Sequence, residues 1–266
     1  MSLHELVRTT GGAWAVRDRD VGQVMHPVVG PLVESDLIYI RPAKLAERLD
    51  EDTARPLVLY DVGLGAGSNA IAARAVSERR DRGRPLHIVS FDRTTDAMKL
   101  ALTEPAGFGL EGEMGDAARA VLSEGKHETE RTRWTMRLGE LPGSLAGPPA
   151  DLVFWDAFSP RANAELWTVA AFEALRACCG PTCIVRSFSA ATAVRSALLL
   201  AGFFVGRGGA SASKEETTVA SMHLSDLERP LTERFLSRLS RSSAPLPSDA
   251  PGEGIQRIAE HAQFGG

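Results

Sequence analysis

The feature that most constrains the fold is a run of alternating glycines, Gly63, Gly65 and Gly67, that begins two residues after Asp61. The apolar residues 57–60 precede this run, and a helix-forming segment follows it. Glycine is needed where a backbone bends sharply and comes close to a ligand. The free amide groups in the first turn of the following helix point into the bend. The pattern therefore predicts a strand, a glycine turn and a helix, with a ligand bound at the turn.

The spacing of the glycines indicates the class of ligand. A dinucleotide-binding turn has the pattern Gly-x-Gly-x-x-Gly, which would require a third glycine at position 68, where this chain has Ser68. The observed Asp-x-Gly-x-Gly-x-Gly pattern instead resembles motif I of the class I methyltransferases, which bind S-adenosyl-L-methionine (SAM). The alternative is a glycine turn in another kind of α/β enzyme.

Composition sets broad limits on function. A chain of 266 residues with 44% hydrophobic content is long enough for one α/β domain, with or without an appendage. A net charge of −4 argues against a general nucleic-acid coat protein, which would be basic. Residues 1–20 contain no apolar segment, and the run at 197–205 is well short of the roughly 20 residues of a membrane helix. We expect a soluble, cytoplasmic protein, and the scattered histidines and clustered cysteines predict no metal site.

Strand-like apolar runs alternate with helical runs through the centre of the chain, which predicts a parallel sheet with crossover helices. The final two strand-like runs have no helix between them, which predicts a terminal antiparallel hairpin. Together these features favour an α/β fold of the class I methyltransferase (Rossmann-like) type with a seven-stranded sheet. The predicted strands are 57–62, 86–91, 134–138, 151–155, 183–188, 203–207 and 217–223.

The chain divides into three predicted parts. Residues 1–50 are predicted to form a small β/α lid over the cofactor, with strands at 13–16, 21–25 and 37–40 and a helix at 43–49. Residues 51–225 form the SAM-binding core. Residues 226–266 are predicted to be a linker rich in Ser, Pro and Gly and a C-terminal tail that includes a short helix over 255–264.

Four acidic residues are predicted at or just beyond strand ends, where ligands bind in an open α/β sheet: Asp61, Asp92, Glu140 and Asp156. Asp92 either accepts both ribose hydroxyls of the cofactor or caps the next helix. Glu140 either binds the adenine amino group or is an exposed loop acid. Asp61 either orders the loop amides or the methionine end of the cofactor, or it is purely structural.

The remaining predicted cofactor contacts come from the turn itself. Gly63, Gly65 and Gly67 let the chain pass under the methionine moiety. Asn69 either donates a hydrogen bond to the cofactor carboxylate or caps the helix.

Asp156 begins the most specific segment, residues 156–167. Methyl transfer from an activated sulfonium depends mainly on positioning. A carboxylate beside an amine can orient its lone pair and hold the proton that is lost, so Asp156 is the predicted catalytic residue as well as a cofactor contact. Phe158 and Trp167 either wall the pocket or stack on a base, with ordinary packing as the alternative for Trp167, and Pro160 fixes the loop.

The order of several blocks resembles the MnmC methyltransferase-domain family over about residues 22–223. The blocks are Leu32-Val33-Glu34-Ser35, the glycine loop with Asn69, Asp156-Ala157-Phe158-Ser159-Pro160 with Asn163 and Trp167, Ser187-Phe188-Ser189-Ala190, Val194-Arg195 and Ala201-Gly202-Phe203. The resemblance implies SAM-dependent N-methylation of an aminomethyl group on the wobble uridine of tRNA. It implies that Asp156 is the active-site aspartate and places Glu34 and Asn163 with Phe158, Pro160 and Trp167 on the substrate side.

The sequence departs from the family at two places. The family has Lys-Asn-Pro in the loop after the proline, where this chain has Ala162-Asn163-Ala164. The last hairpin, crowded with Lys and Arg in the family, keeps a weakly basic face of Arg186, Arg195, Arg207 and Lys214. Since cations set much of the affinity for tRNA, the alternative acceptor is a small-molecule or peptide amine.

Two further readings stay open. One is a non-catalytic SAM-binding or RNA-binding subunit, and the other is an aminopropyltransferase on the same fold. The bifunctional family members also carry an FAD-dependent oxidase domain, and for this chain we expect only the methyl-transfer step.

Overall fold

The computed structural model describes residues 3–26, 29–210 and 216–265. Ten β-strands and ten α-helices are found in these ranges. The strands are β1 (His4–Arg8), β2 (Trp14–Asp18), β3 (Leu57–Val62), β4 (Leu86–Asp92), β5 (Lys126–Glu128), β6 (Thr132–Leu138), β7 (Ala150–Trp155), β8 (Cys179–Ser187), β9 (Phe204–Arg207) and β10 (Thr218–Ser221).

The helices follow the same chain order. They are α1 (Pro31–Ser35), α2 (Leu45–Leu49), α3 (Ser68–Glu78), α4 (Asp96–Ala101), α5 (Pro105–Phe108), α6 (Gly112–Glu124), α7 (Val169–Ala177), α8 (Thr192–Leu200), α9 (Glu233–Leu239) and α10 (Gly254–Ala259). A π-helical turn at Asp36–Ile40 and 3₁₀ turns at Ala164–Trp167 and Leu224–Asp226 complete the set. Within the described ranges, no helix is long and apolar enough to cross a membrane.

Eight strands form the main sheet, in the order β5-β6-β4-β3-β7-β8-β10-β9. Strands β6, β4, β3, β7 and β8 are parallel, and β10 runs antiparallel to both β8 and β9. Every residue of β3 and of β7 is buried, because apolar clusters cover both faces of the sheet. The predicted class I methyltransferase sheet and its terminal antiparallel hairpin are confirmed.

The eighth strand of this sheet was not predicted. β5 pairs antiparallel with β6, with Lys126 opposite Thr135 and Glu128 opposite Arg133. Its three residues are polar, so β5 has no apolar alternation that could have revealed it.

The N-terminal region differs from the prediction. β1 and β2 form a separate antiparallel hairpin, whereas residues 21–25 contribute only one isolated bridge, between Arg17 and Val24. The predicted strand at 37–40 is wrong, since these residues lie in the π-helical turn. Ile38, Tyr39 and Ile40 are all buried in succession, and a short apolar run of this kind does not distinguish a strand from a buried helical turn.

The segment after residue 225 packs on the core. Phe235, Leu239 and Ile258 are buried in the same apolar cluster as β7 and α8. The Asp249 carboxylate accepts hydrogen bonds of 2.9 and 3.0 Å from the first two amides of α7. The division of the chain into lid, core and tail stays a prediction.

Candidate active site

The glycine loop and Asp156 meet at the point where the winding of the sheet changes direction. The chain passes from β3 outward to β4 and β6, and then returns to place β7 on the other side of β3. The carboxyl ends of β3 and β7 therefore frame a crevice, which is the usual ligand position in such sheets. The Asp156 amide donates a 2.9 Å hydrogen bond to the Val62 carbonyl and holds the two strand ends together.

A cavity of about 320 Å³ opens at this crevice, a volume within the range of small-molecule sites. Eight of the predicted site residues line the cavity: Glu34, Gly63, Gly65, Asp92, Glu140, Asp156, Phe158 and Asn163. The N-terminal region also contributes to the wall, through His4, Asp18 and the segment from Gln23 to His26. The tertiary structure thus brings most of the predicted residues together around one space.

Five predicted site residues lie outside the lining: Asp61, Gly67, Asn69, Pro160 and Trp167. Gly67 immediately precedes the first residue of α3. Trp167 is buried against Phe172 and Phe188, and its indole N–H donates a 2.8 Å hydrogen bond to the Phe158 carbonyl. Trp167 is therefore a packing residue, and its hydrogen bond holds the loop that follows β7.

The loop requires glycine at position 63. Gly63 has a φ of +90°, a backbone conformation that residues with a side chain rarely adopt. A Cβ atom at this position would lie 2.9 Å from the carbonyl oxygen of Asp156. The close approach of the two strand ends explains this requirement.

Asp92 anchors the next turn of the glycine loop. Its Oδ2 accepts a 3.0 Å hydrogen bond from the Gly65 amide, and its Oδ1 accepts from the amides of Arg93 and Thr94 at 2.7 and 3.3 Å. Burial raises the pKa of Asp92, although these three amides act in the opposite direction. Asp92 thus orders the loop and lines the cavity at the same time.

Asp61 is buried beneath the loop. Its Oδ2 accepts a 2.8 Å hydrogen bond from the Ser90 hydroxyl, which in turn accepts one of 2.9 Å from the Trp134 indole. Burial raises the pKa of Asp61 to about 7, and the nearby carboxylates of Asp156 and Asp92 add to the effect.

Asp156 is held through both carboxylate oxygens. The Tyr39 hydroxyl donates to Oδ1 at 2.7 Å, and the Asn69 amide donates to Oδ2 at 2.8 Å. The amide group expected to reach the cofactor carboxylate is thus bonded to Asp156. Burial raises the pKa of Asp156, against the lowering effects of His26, Tyr39 and Asn69.

Sequence reasoning missed His26 and Tyr39. His26 Nε2 lies 3.7 Å from Asp156 Oδ2, and His26 Nδ1 lies 3.7 Å from Glu34 Oε2. The spacing of histidines along the chain indicates only whether two of them could share a metal ion, so it gives no signal for His26. The apolar run around Tyr39 predicts a buried strand and gives no sign of a polar contact. No local pattern links either residue to Asp156, because the contacts join segments far apart in the chain.

The N-terminal region also contacts the loop that follows Asp156. The Gln23 side chain donates to the Ser159 hydroxyl at 2.7 Å and accepts from the Ser159 amide at 3.3 Å. The N-terminal segment is therefore tied to the most specific loop of the sequence.

The basic face expected near the last hairpin is wrong for Arg195. This side chain is buried, and its guanidinium bonds to Glu216 at 2.9 Å and to Thr218 and the Thr217 carbonyl at 3.0 Å. Arg207 also faces Glu216, at 3.8 Å. Lys214 lies outside the described residues.

The chain is similar to proteins of known class. The family described as S-adenosyl-L-methionine-dependent methyltransferase matches residues 122–223. The tRNA 5-methylaminomethyl-2-thiouridine biosynthesis bifunctional protein MnmC of Burkholderia vietnamiensis (strain G4 / LMG 22486) is 30% identical over 201 residues, which are 69% of this chain and 30% of that protein. The protein of the same name from Paracidovorax citrulli (strain AAC00-1) is 33% identical over 161 residues, 55% of this chain and 25% of that protein.

Among solved structures, MnmC2 from Aquifex aeolicus shares the fold with a TM-score of 0.72. Its sequence is 22% identical, and the match covers 98% of this chain and 84% of that chain. The chain spans about 30% of the length of the curated relatives that it matches.

The fold, the glycine loop and the family match define the chain as an S-adenosyl-L-methionine-dependent methyltransferase. Within this class, the chain is similar to the MnmC proteins over 69% of its own length.

The residues present fit this cofactor. The Cβ-free surface at Gly63 lets two strand ends approach, and the cavity beside it is large enough for a small molecule. Carboxylates of Asp92 and Glu140 line the same cavity and are suitable acceptors for hydroxyl and amino groups. Among the described residues, no group of three or more His, Cys, Asp and Glu side chains is arranged to hold a metal ion.

Proposed function

We propose that the chain methylates the exocyclic amine of an aminomethyl group on the wobble uridine of tRNA. The observation that carries the proposal is the position of Asp156, which lines the cavity at the switch point beside the glycine loop. The names of the relatives, which refer to tRNA 5-methylaminomethyl-2-thiouridine biosynthesis, support this substrate.

In this proposal the site works mainly by positioning. SAM supplies a methyl group on a positively charged sulfur. Asp92 and Glu140 bind its ribose and adenine, and the loop with Gly63, Gly65 and Gly67 passes under its methionine end. Asp61, below the loop, orders this end from beneath.

Asp156 orients the acceptor amine and holds the proton that the nitrogen loses after the methyl group has been transferred. Tyr39 and Asn69 fix the carboxylate, so that its direction is set before the substrate enters. With SAM bound, the neutral amine nitrogen would bond to the methyl carbon as the carbon–sulfur bond breaks. The electron pair of that bond would stay on sulfur, and the positive charge would pass to the methylated nitrogen.

The acceptor side of the site is formed by the loop after β7 and by α1. Glu34, Phe158 and Asn163 line the cavity, and Pro160 restricts the loop between them. Trp167 contributes through the Phe158 carbonyl that it holds.

A methyl-transfer assay with purified protein, SAM and tRNA bearing 5-aminomethyl-uridine tests this function. We expect methylated wobble uridine with the wild-type chain and none with Asp156→Asn, while SAM affinity measured by calorimetry changes by no more than a few fold. The matched control is Asp116→Asn, an exposed aspartate on α6 that pairs with Arg119, which should keep full activity. Full activity of Asp156→Asn would refute the catalytic assignment.

A second candidate acceptor is a small-molecule or peptide amine. The burial of Arg195 and its pairing with Glu216 favour it, because they remove a cation from the surface expected to meet tRNA. The two candidates differ in salt dependence. Transfer to tRNA should fall steeply as salt rises, whereas transfer to a small amine should change little.

A further inference from the structure

Three ionisable side chains from separate parts of the fold meet at the wall of the cavity. Glu34 belongs to α1, His26 lies between β2 and α1, and Asp156 follows β7. Each ring nitrogen of His26 lies 3.7 Å from one of the carboxylates. The side chains of His26, Glu34 and Asp156 are only 13%, 7% and 14% exposed, so the group interacts in a poorly hydrated environment.

The backbone at His26 holds an unfavourable conformation. Its φ is +53°, in the left-handed region, which costs a residue with a side chain about 1–2 kcal/mol. Strain of this kind persists only where the surrounding structure imposes it, and it occurs often at functional sites. Here the conformation accompanies a ring placed between two carboxylates that come from different elements.

Charged and titratable groups face His26 from each neighbouring element. Burial on its own lowers the pKa of His26, but the close contact with Glu34 and the charges of Asp156, Glu34 and Asp61 outweigh it and raise the pKa. Asp61 acts from β3, and the Tyr39 hydroxyl from the π-helical turn occupies the other oxygen of Asp156. A cationic substrate in the cavity would oppose this effect and favour the neutral imidazole.

We propose that His26 is the proton acceptor for the substrate amine, with Glu34 and Asp156 holding the imidazole in place. This inference rests on the proposed amine methylation. An alkylammonium group must lose one proton before its nitrogen has a lone pair to attack with. That proton passes from the ammonium nitrogen to neutral His26 Nε2, which leaves a neutral amine and an imidazolium. The imidazolium later releases the proton to water, so the step needs no further reactant.

The kinetic test uses His26→Gln, which keeps a polar side chain but has no group that titrates near neutral pH. In the wild-type enzyme, kcat/KM should rise with pH through the pKa of His26, since this parameter reports on the free enzyme. His26→Gln should lower kcat/KM by a factor of about 100 near neutral pH, and the defect should shrink at high pH, where free amine is abundant. The matched control is His223→Gln. His223 is exposed and lies just beyond β10, which ends at the edge of the sheet opposite to the cavity.

A second readout does not depend on the substrate. NMR titration of the His26 ring should show a midpoint above that of an ordinary histidine, and Glu34→Gln and Asp156→Asn should each lower it. A wild-type pH profile in His26→Gln, or a ring midpoint that neither substitution moves, would overturn the inference. Failure of the proposed function has a different signature, because the wild-type enzyme would then transfer no methyl group to tRNA while the ring titrated as expected.

Discussion

Replacing Asp61 with asparagine is expected to stabilise the fold while it weakens the cofactor site. Asp61 is 1% exposed, and only its Oδ2 is satisfied, by the Ser90 hydroxyl at 2.8 Å. Its Oδ1 accepts no hydrogen bond from any described residue. An asparagine can keep the bond from Ser90 and carries no charge, so the substitution removes the cost of a buried carboxylate.

The size of the effect follows from the raised pKa of Asp61, about 7 in the folded chain against 3.8 for an ordinary aspartate. At a pH below the lower pKa, Asp61 is protonated in both the folded and the unfolded chain, so it does not lower the free energy of unfolding. As the pH rises between the two values, the unfolded state loses its proton first and the free energy of unfolding falls. Above the upper value the cost is constant, at up to about 4 kcal/mol, because each pH unit of difference corresponds to about 1.4 kcal/mol.

Urea unfolding followed by tryptophan fluorescence measures this difference at several pH values. Asp61→Asn and the wild-type chain should be about equally stable at about pH 4, and the variant should be more stable by up to about 4 kcal/mol at about pH 8. The control is Asp96→Asn, an exposed aspartate paired with Lys99, whose pKa is lowered by hydrogen bonds from Thr94 and Lys99 and whose loss cannot stabilise the chain at high pH. A stability difference that does not change with pH would refute the reasoning. Calorimetry should show weaker SAM binding by Asp61→Asn.

Three other substitutions test the surroundings of the site. Gly63→Ala should destabilise the fold by more than about 2 kcal/mol, since its Cβ meets the Asp156 carbonyl, whereas Gly12→Ala has open space at a similar φ and should cost about 1 kcal/mol in thermal unfolding. Trp167→Phe leaves the partly buried Phe158 carbonyl without its donor and should cost about 1 kcal/mol by urea unfolding, with a loss of acceptor affinity. An unchanged stability would contradict this. Gln263→Ala removes three hydrogen bonds to Val205 and Leu231 and should speed amide exchange in β9, whereas Gln256→Ala, which loses only an exposed bond to Glu260, should not.

Local patterns of the chain were sufficient for seven of the eight strands of the main sheet. The buried runs that became β3 and β7 are largely apolar, with one aspartate in each, and the glycine turn and helix α3 follow β3 in the sequence. Because the carboxyl ends of parallel strands share one edge of a sheet, the strand pattern alone predicts that the acids after these strands lie near one another. Asp92, Glu140 and Asp156 do line one cavity.

Local sequence patterns predicted the wrong structure where consecutive residues are all buried. The apolar run at 37–40 is equally compatible with a strand and with a buried helical turn, and packing against Phe154 placed Tyr39 in a turn. Charge counts failed for Arg195 in the same way, because only the fold shows that its partner, Glu216, lies within 2.9 Å.

The sequence by itself determined where seven of the eight main-sheet strands lie along the chain, the glycine loop and the identity of the acid at each strand end, because these depend on residues adjacent in the chain. The tertiary structure alone decided that Tyr39, Asn69 and His26 surround Asp156. These contacts join elements that meet only when the helices and the N-terminal region pack on the sheet, and the resulting burial and charges move the pKa values of His26 and Asp156. Proton affinity at the site is therefore a property of packing, which no local spacing of residues encodes.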